Sequence, residues 1–418
     1  MTIDFSFHLP NKPSRIKLQS KDLEEIINQK DIGFFHLTDR DDFIEQTISM
    51  ANQFSSKKHF VQIGIGGSAL GPQMLVSSLA QTTNKTFSLL DNTDADYIYQ
   101  TLKTIDLKQA LFYVVSKSGG TAETVANYIT ARKMLLDSGV NEEELRNYFV
   151  FCTDPTQGQL RTHIQQNHYY ALDIPANIGG RFSVLSPVGL FPAAFMGIDI
   201  QKLYFGANKI KKVLLKESED NPLLYTAATL DDLYKSPNSK VDQTVMMPYS
   251  SKLKDFSLWF VQLWAESLGK ISKENNNPIG LTPIAAYGAT DQHSQVQLFM
   301  QGPNNKSIFL IHIKNKEQDF CFENNLDLPS ATKLSPFNMN QLLEAEFKGT
   351  LEALKENKRP VFVLELDYLN AENLGGLILY FECLTALMGK YFKINAFDQP
   401  GVEKGKKYAF EYLNSLGK

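Results

Sequence analysis

The sequence predicts an α/β protein with two doubly wound parallel-sheet lobes and flanking helices. Three observations carry this. Short apolar runs recur, each ending in polar, Gly or Pro residues. Amphipathic segments of helical length separate most of them. The alternation pauses near residue 200 and then restarts on a similar plan.

Residues 19–56 carry helical periodicity and charge and read as two helices, the second starting near Asp41 or Asp42. The first lobe's strands read as 59–67, 86–92, 110–120, 147–155 and 168–175, with a helix at 122–139. After a helical stretch at about 200–235, the second lobe's strands read as 244–250, 281–288, 307–313 and 359–367, with helices at 257–269 and 294–302. The predicted divisions are a helical segment 1–45, a first lobe 46–198, a second lobe 199–398, and a terminal helix 399–418 returning to the cleft between them. Both lobes contain a strand ending in serines ahead of a helix, VVSKSGGTAET and MPYSSKLKDFS, a weak internal repeat. A serine in such a turn is common for capping alone.

Composition is ordinary for a globular chain, and 418 residues suit two domains. A net charge of −4 supplies no basic field for nucleic acid or an acidic membrane, so an anion must be captured locally. Three cysteines without a CxxC pair predict a reducing compartment. The N-terminus lacks a basic and apolar leader, and no run approaches the roughly 20 apolar residues of a membrane span. The expected location is the cytoplasm. No HExxH pair or Cys/His cluster is present, so neither metal nor cofactor is expected.

Six motifs carry chemistry. Gly64-Ile65-Gly66-Gly67-Ser68 follows a strand and lets backbone approach a ligand at a helix N-terminus; a tight turn without a ligand reads equally well. Ser116-Lys117-Ser118-Gly119-Gly120-Thr121 offers many small donors and one positive end, as a phosphate monoester requires. Arg181 follows two glycines, which can present it into a cleft; a surface ion pair is the plainer fate. Gln262 and Glu266 share one helix face at i,i+4 spacing, among Trp259, Phe260, Leu263 and Trp264. Apolar surroundings make a carboxylate a better proton acceptor, which suits a general base, although an exposed Glu on a polar stripe fits the periodicity better. His293 occupies a polar turn after a strand. The last motif is FDQPGVEKGKK, with Gln399 and three lysines, any of which also suits a solvated helix start.

Taken in order, GIGGSALGP, SKSGGTAET, GGRFSVLSPVG, WAES, DQHSQ and FDQPGVEKGK resemble the successive motifs of phosphoglucose isomerases over residues 64–406. The resemblance implies two flavodoxin-like lobes of the sugar-isomerase (SIS) type, with the site between lobes and between subunits of a homodimer. It implies interconversion of glucose 6-phosphate and fructose 6-phosphate through a cis-enediol. Position by position, it implies a phosphate cradle at Ser116, Ser118 and Thr121, with backbone contact from Lys117. Gly67 and Ser68 fall beside the sugar, and Gln262 beside Glu266, the base. Arg181 falls at the reacting carbons and Gln399 on the phosphate side. His293 from the partner and Lys406 would open the ring, with Lys404 and Lys407 alternatives to Lys406. Departures stand at Gly119, Gly120 and Pro400, where relatives carry bulkier or aromatic residues. A broader sugar-phosphate isomerase that also accepts mannose 6-phosphate, and a non-catalytic SIS sensor, are the competing readings.

Overall fold

The computed structural model describes residues 3–10, 20–81, 84–216, 218, 221–237, 240–323 and 326–417. Residue 19, where the first helical periodicity begins, lies outside them. The first sheet contains β2 (His59–Ile63), β3 (Thr86–Leu90), β4 (Ala110–Val115), β5 (Phe149–Thr153) and β6 (Tyr170–Asp173). Its spatial order is β3-β2-β4-β5-β6, with every pairing parallel. The second sheet contains β1 (Ile3–His8), β7 (Gln243–Pro248), β10 (Thr282–Ala285), β11 (Lys306–Ile313) and β12 (Val361–Leu366), in the order β1-β12-β11-β7-β10. A small two-stranded ribbon pairs β8 (Lys270–Ile271) with β9 (Pro278–Ile279). Central strands such as Ala110–Val115 are buried at every position, as helices on both faces of a parallel sheet require.

β1 corrects the prediction of a wholly helical N-terminal segment. It pairs antiparallel with β12 and closes the edge of the second sheet. Its alternation of Ile3, Phe5 and Phe7 with Asp4, Ser6 and His8 is the period-2 pattern of an edge strand.

In each sheet two adjacent strands lead to neighbours in opposite directions. β2 leads through the helix Leu70–Leu79 to β3 on one side, while β4, on its other side, leads through Ala122–Asp137 to β5. β7 leads through Lys254–Leu268 to β10, while β11 leads through Met339–Glu356 to β12. Such reversal points open a crevice at the carboxyl ends of the strands. In the first lobe, Gly64–Ser68 and Ser116–Thr121 line it.

The lobes share a core. Met74, Leu75, Phe182 and Val184 cluster with Trp259, Phe260, Trp264 and Phe309. Two hydrogen bonds cross the same boundary, Gln73 Nε2 to Asp255 Oδ2 at 3.0 Å and Ser78 Oγ to the Lys252 carbonyl at 2.9 Å. The helix Lys254–Leu268 is thereby fixed against the first lobe. By contrast, the helix Glu403–Leu416 is exposed along its length. It does not return to the cleft. No described helix is long and apolar enough to cross a membrane.

Candidate active site

The i,i+4 spacing on the helix Lys254–Leu268 places Gln262 Nε2 3.0 Å from Glu266 Oε2. The indoles of Trp259 and Trp264 turn into the core, both essentially inaccessible. Glu266 itself stays about a quarter exposed (26%) and meets a guanidinium. The apolar environment expected for this carboxylate is therefore corrected: tryptophans neighbour it in sequence and lie on another face of the helix.

The guanidinium belongs to Arg181, whose side chain is 1% exposed. All five of its N–H donors have acceptors. Nε donates to Ser267 Oγ at 2.6 Å. Nη1 donates to Glu266 Oε1 at 2.8 Å and Gln399 Oε1 at 3.2 Å. Nη2 donates to the carbonyls of Ala396 and, at 3.0 Å, Asp398. Burial lowers the Arg181 pKa, and the Glu266 carboxylate opposes that shift. A fork with five matched acceptors fixes geometry in a way a lysine could not.

Glycines let the first-lobe loops reach this arginine. A Cβ on Gly67 would stand 2.2 Å from the Gly180 carbonyl, so the two loops touch backbone to backbone. Gly66 adopts φ +60°, and a Cβ there would meet Gln262 Nε2 at 2.9 Å. Ser68 is held by its carbonyl, which accepts from Gln62 Nε2 at 2.7 Å.

In the loop after β4, Ser116 Oγ and Thr121 Oγ1 lie 2.9 Å apart, and Ser118 Oγ lies 3.4 Å from Thr121 Oγ1. The amide of Gly119 donates to Ser116 Oγ and that of Gly120 to Ser118 Oγ. Thr121 stands at the N-cap of Ala122–Asp137, yet its side chain makes no capping bond. These hydroxyls converge on one another rather than on the helix end. The Lys117 side chain departs from the positive end expected of it, while its backbone stays in the hydroxyl loop. Its ammonium turns away and donates to the carbonyls of Ala176 and Ile178, each at 2.7 Å, and burial lowers its pKa. It ties the hydroxyl loop to the segment leading into Arg181 and is not the positive end beside a phosphate.

Three further expected residues are placed differently. Gln399 shares Arg181 Nη1 with Glu266, so it stands on the carboxylate side of the site and not on a separate phosphate side. Lys406 donates to Glu403 Oε1 at 2.8 Å, is 62% exposed, and sits on the terminal helix away from Glu266. Lys404 and Lys407 lie on the same exposed helix. His293 is exposed in the turn after β10. Its neighbours hold that turn: the Tyr287 amide donates to Asp291 Oδ2 at 2.8 Å, and Gln292 Nε2 donates to Tyr249 Oη at 2.9 Å. Ser267, absent from the sequence-based candidates, completes the arginine fork; its position directly after Glu266 is the available signal.

Among the described residues, no group of three or more His, Cys, Asp or Glu is arranged to hold a metal ion.

Comparison with known proteins gives a consistent result. A family model described as phosphoglucose isomerase matches residues 37–418. The probable glucose-6-phosphate isomerase of Methanococcus maripaludis is 35% identical over 405 residues, spanning 94% of this chain and 88% of that protein. A glucose-6-phosphate isomerase of Thermus thermophilus is 39% identical over 347 residues, spanning 83% of this chain and 81% of that protein. A crystal structure of a hypothetical protein from the same organism superposes with a TM-score of 0.90 at 34% identity, covering 98% of this chain and all of that one (100%). A glucose-6-phosphate isomerase structure from Chlamydia trachomatis shares the fold, with a TM-score of 0.81 at 22% identity over 99% of this chain and 89% of that one. The chain is a member of the phosphoglucose isomerase family.

Proposed function

We infer that this protein interconverts glucose 6-phosphate and fructose 6-phosphate, with Glu266 moving a proton between C2 and C1 through a cis-enediol. The observation that carries the reading is the carboxylate of Glu266, held by Arg181 on one oxygen and Gln262 on the other at the junction of the two lobes.

A base that must reach two adjacent carbons needs a fixed carboxylate and a substrate anchored elsewhere. The two hydrogen bonds fix it. The hydroxyls of Ser116, Ser118 and Thr121 at the first lobe's crevice are the anchor we assign to the phosphate. Binding energy from this remote group positions C1 and C2 without entering the chemistry. Arg181 stands where negative charge develops on the enediolate oxygens and stabilises it. Gln262 Oε1 is buried without a partner among the described residues, an acceptor suited to a sugar hydroxyl. Gly67 and Ser68 border the same space. Each proton transfer uses a side chain, so the reaction proceeds without a metal or cofactor.

We assign ring opening to His293 and Lys406. The exposed His293, with no side-chain partner among the described residues, reaches a site when donated by a second copy in a homodimer. Lys406 reaches one when the terminal helix is seated over Arg181 and Gln399. The free state of Cys152, Cys321 and Cys383 supports a cytoplasmic location. A coupled assay on fructose 6-phosphate in excess EDTA tests the activity. Glucose 6-phosphate formation at an undiminished rate is expected. Absence of turnover, or full dependence on an added divalent ion, contradicts the reading. Mannose 6-phosphate in the same assay measures the breadth of sugar accepted.

A further inference from the structure

Lys270 lies one helical turn beyond Glu266, at the point where the helix Lys254–Leu268 gives way to β8. Its side chain is only 9% exposed. The ammonium donates to the carbonyl of Glu266 and, at 3.2 Å, to that of Ser267. These are last-turn carbonyls that lack partners within the helix. The same ammonium lies 3.9 Å from the carboxylate of Asp398. Arg181 meanwhile bonds Glu266 and Ser267 on one side and the carbonyls of Ala396 and Asp398 on the other. Two buried cations thus join the same two pieces of chain in complementary ways: Arg181 takes the side chains of Glu266 and Ser267 and the carbonyls of Ala396 and Asp398, Lys270 the carbonyls of Glu266 and Ser267 and the side chain of Asp398.

The arrangement has a cost. Burial lowers the Lys270 pKa, and the neighbouring Arg181 lowers it further, opposed by Asp398 and Glu266. Two cations beside each other are tolerated where their acceptors are fixed. The segment 396–399 is anchored at its start by buried Ala396 and by the Phe397 ring against Phe34 and Phe182, and Asn395 Nδ2 donates to Asp398 Oδ2 at 2.9 Å; the two cations fix its remaining carbonyls and the Asp398 side. It is irregular, it carries Gln399, and the terminal helix beyond it is exposed.

We propose that Lys270, acting through the carbonyls of Glu266 and Ser267 and the carboxylate of Asp398, is a positioning residue that sets the Glu266 carboxylate against Gln399 and Arg181. It does not touch the reacting atoms. The proposal rests on the assignment of Glu266 as the base. It assigns to Lys270 the turnover step and not substrate capture, because the hydroxyl loop 116–121 belongs to the other lobe.

The test compares Lys270→Met, Asp398→Asn and Glu266→Gln in the full-length protein, measuring kcat, KM for fructose 6-phosphate, the inhibition constant of 6-phosphogluconate and the melting temperature. Lys270→Met is expected to lower kcat about 10-fold or more, as small misplacements of a catalytic group do. KM and the inhibition constant should stay within about 2-fold, since the hydroxyl loop is untouched. Asp398→Asn, at a half-exposed position, should lower kcat about 3-fold in the same pattern. A kcat within 2-fold of the parent for a folded Lys270→Met overturns the proposal. So does a parallel loss in kcat, KM and inhibitor affinity, the signature of a loosened lobe. If Lys270→Met does not fold, Asp398→Asn decides alone, and an unchanged kcat overturns the proposal. An active Glu266→Gln instead removes the assignment of the base, which is a separate failure.

Discussion

The two lobes have one plan and two uses. β3-β2-β4-β5-β6 and β10-β7-β11-β12-β1 follow the same order, differing at the last strand, which is parallel in the first and antiparallel in the second. After β2 the chain runs through Gly64, Gly66 and Gly67, and the loop of Arg181 packs directly on it. After β7 the corresponding turn begins with the fully buried Tyr249, stacked edge-on against Phe347 and hydrogen-bonded by Gln292. The first lobe opens its crevice with small residues. The second fills the equivalent turn with an aromatic ring and contributes the following helix, which carries Gln262 and Glu266. Topology makes a crevice available in both lobes: the second keeps a cavity beside Ser251, Lys252, Asn315 and Tyr368, while the first carries the hydroxyls we assign to the phosphate.

This contrast can be broken experimentally. The largest effect is expected at Ser118. Ser118→Asp places a carboxylate among the hydroxyls assigned to the phosphate, and like-charge repulsion should weaken 6-phosphogluconate binding by more than about 100-fold. Unchanged affinity by calorimetry would place the phosphate elsewhere.

Gly67→Ala comes next. Its Cβ would meet the Gly180 backbone at 2.2 Å, forcing the two loops apart. The expected loss in kcat/KM is about 100-fold. Ser251→Ala, at the equivalent turn of the second lobe, should stay within 2-fold of the parent. Equal effects would mean that the lobes do not differ as described.

The exposed turn carrying His293 offers a test of the proposed homodimer. Inactive Glu266→Ala and His293→Ala chains, dissociated and reassociated together, should recover about a quarter of parental activity if His293 is donated in trans, since half the dimers are mixed and each has one complete site. No recovery from verified mixed dimers would place both residues in one chain's site.

The smallest effect on activity is expected deep in the second lobe. Glu382 is fully buried on the helix Ala371–Tyr391, and neither carboxyl oxygen has a partner among the described residues. Burial raises its pKa well above that of a free glutamate. A carboxyl whose folded pKa is raised gives its full stability below the unfolded value and loses it as pH rises toward the folded value. Glu382→Gln should therefore be about equal to the parent near pH 4.5. It should gain roughly 1.4 kcal/mol per pH unit above that, with kcat preserved. Parallel pH-stability curves for the two proteins would contradict this.

Much of the fold was legible because each parallel strand is a short apolar run with a helix after it. β1 escapes such a reading because six residues of alternation at a terminus compete with the helical pattern that follows. Within the site, helical spacing put Gln262 and Glu266 on one face, but periodicity alone favoured an exposed polar stripe, and the resemblance to phosphoglucose isomerases singled them out. The fork around Arg181 was not, since two of its acceptors are the backbone carbonyls of Ala396 and Asp398, and any residue supplies a carbonyl. Lys117 misleads for a related reason. Sequence places a lysine in the hydroxyl loop, but the direction of a long flexible side chain depends on carbonyls contributed by residues 176–178. Lys406 shows the converse: the motif is present, while the helix bearing it lies exposed.

The central claim is that Glu266 takes the carbon proton while the first-lobe hydroxyls hold the phosphate. Glu266→Gln keeps the shape and hydrogen bonding of the side chain and removes the base. Its deuterium wash-in at C2 of glucose 6-phosphate from heavy water, followed by NMR beside anomer exchange and 6-phosphogluconate binding, tests the claim directly. Wash-in slowed at least about 100-fold is expected, with binding and anomer exchange retained. Wash-in at the parental rate would contradict it.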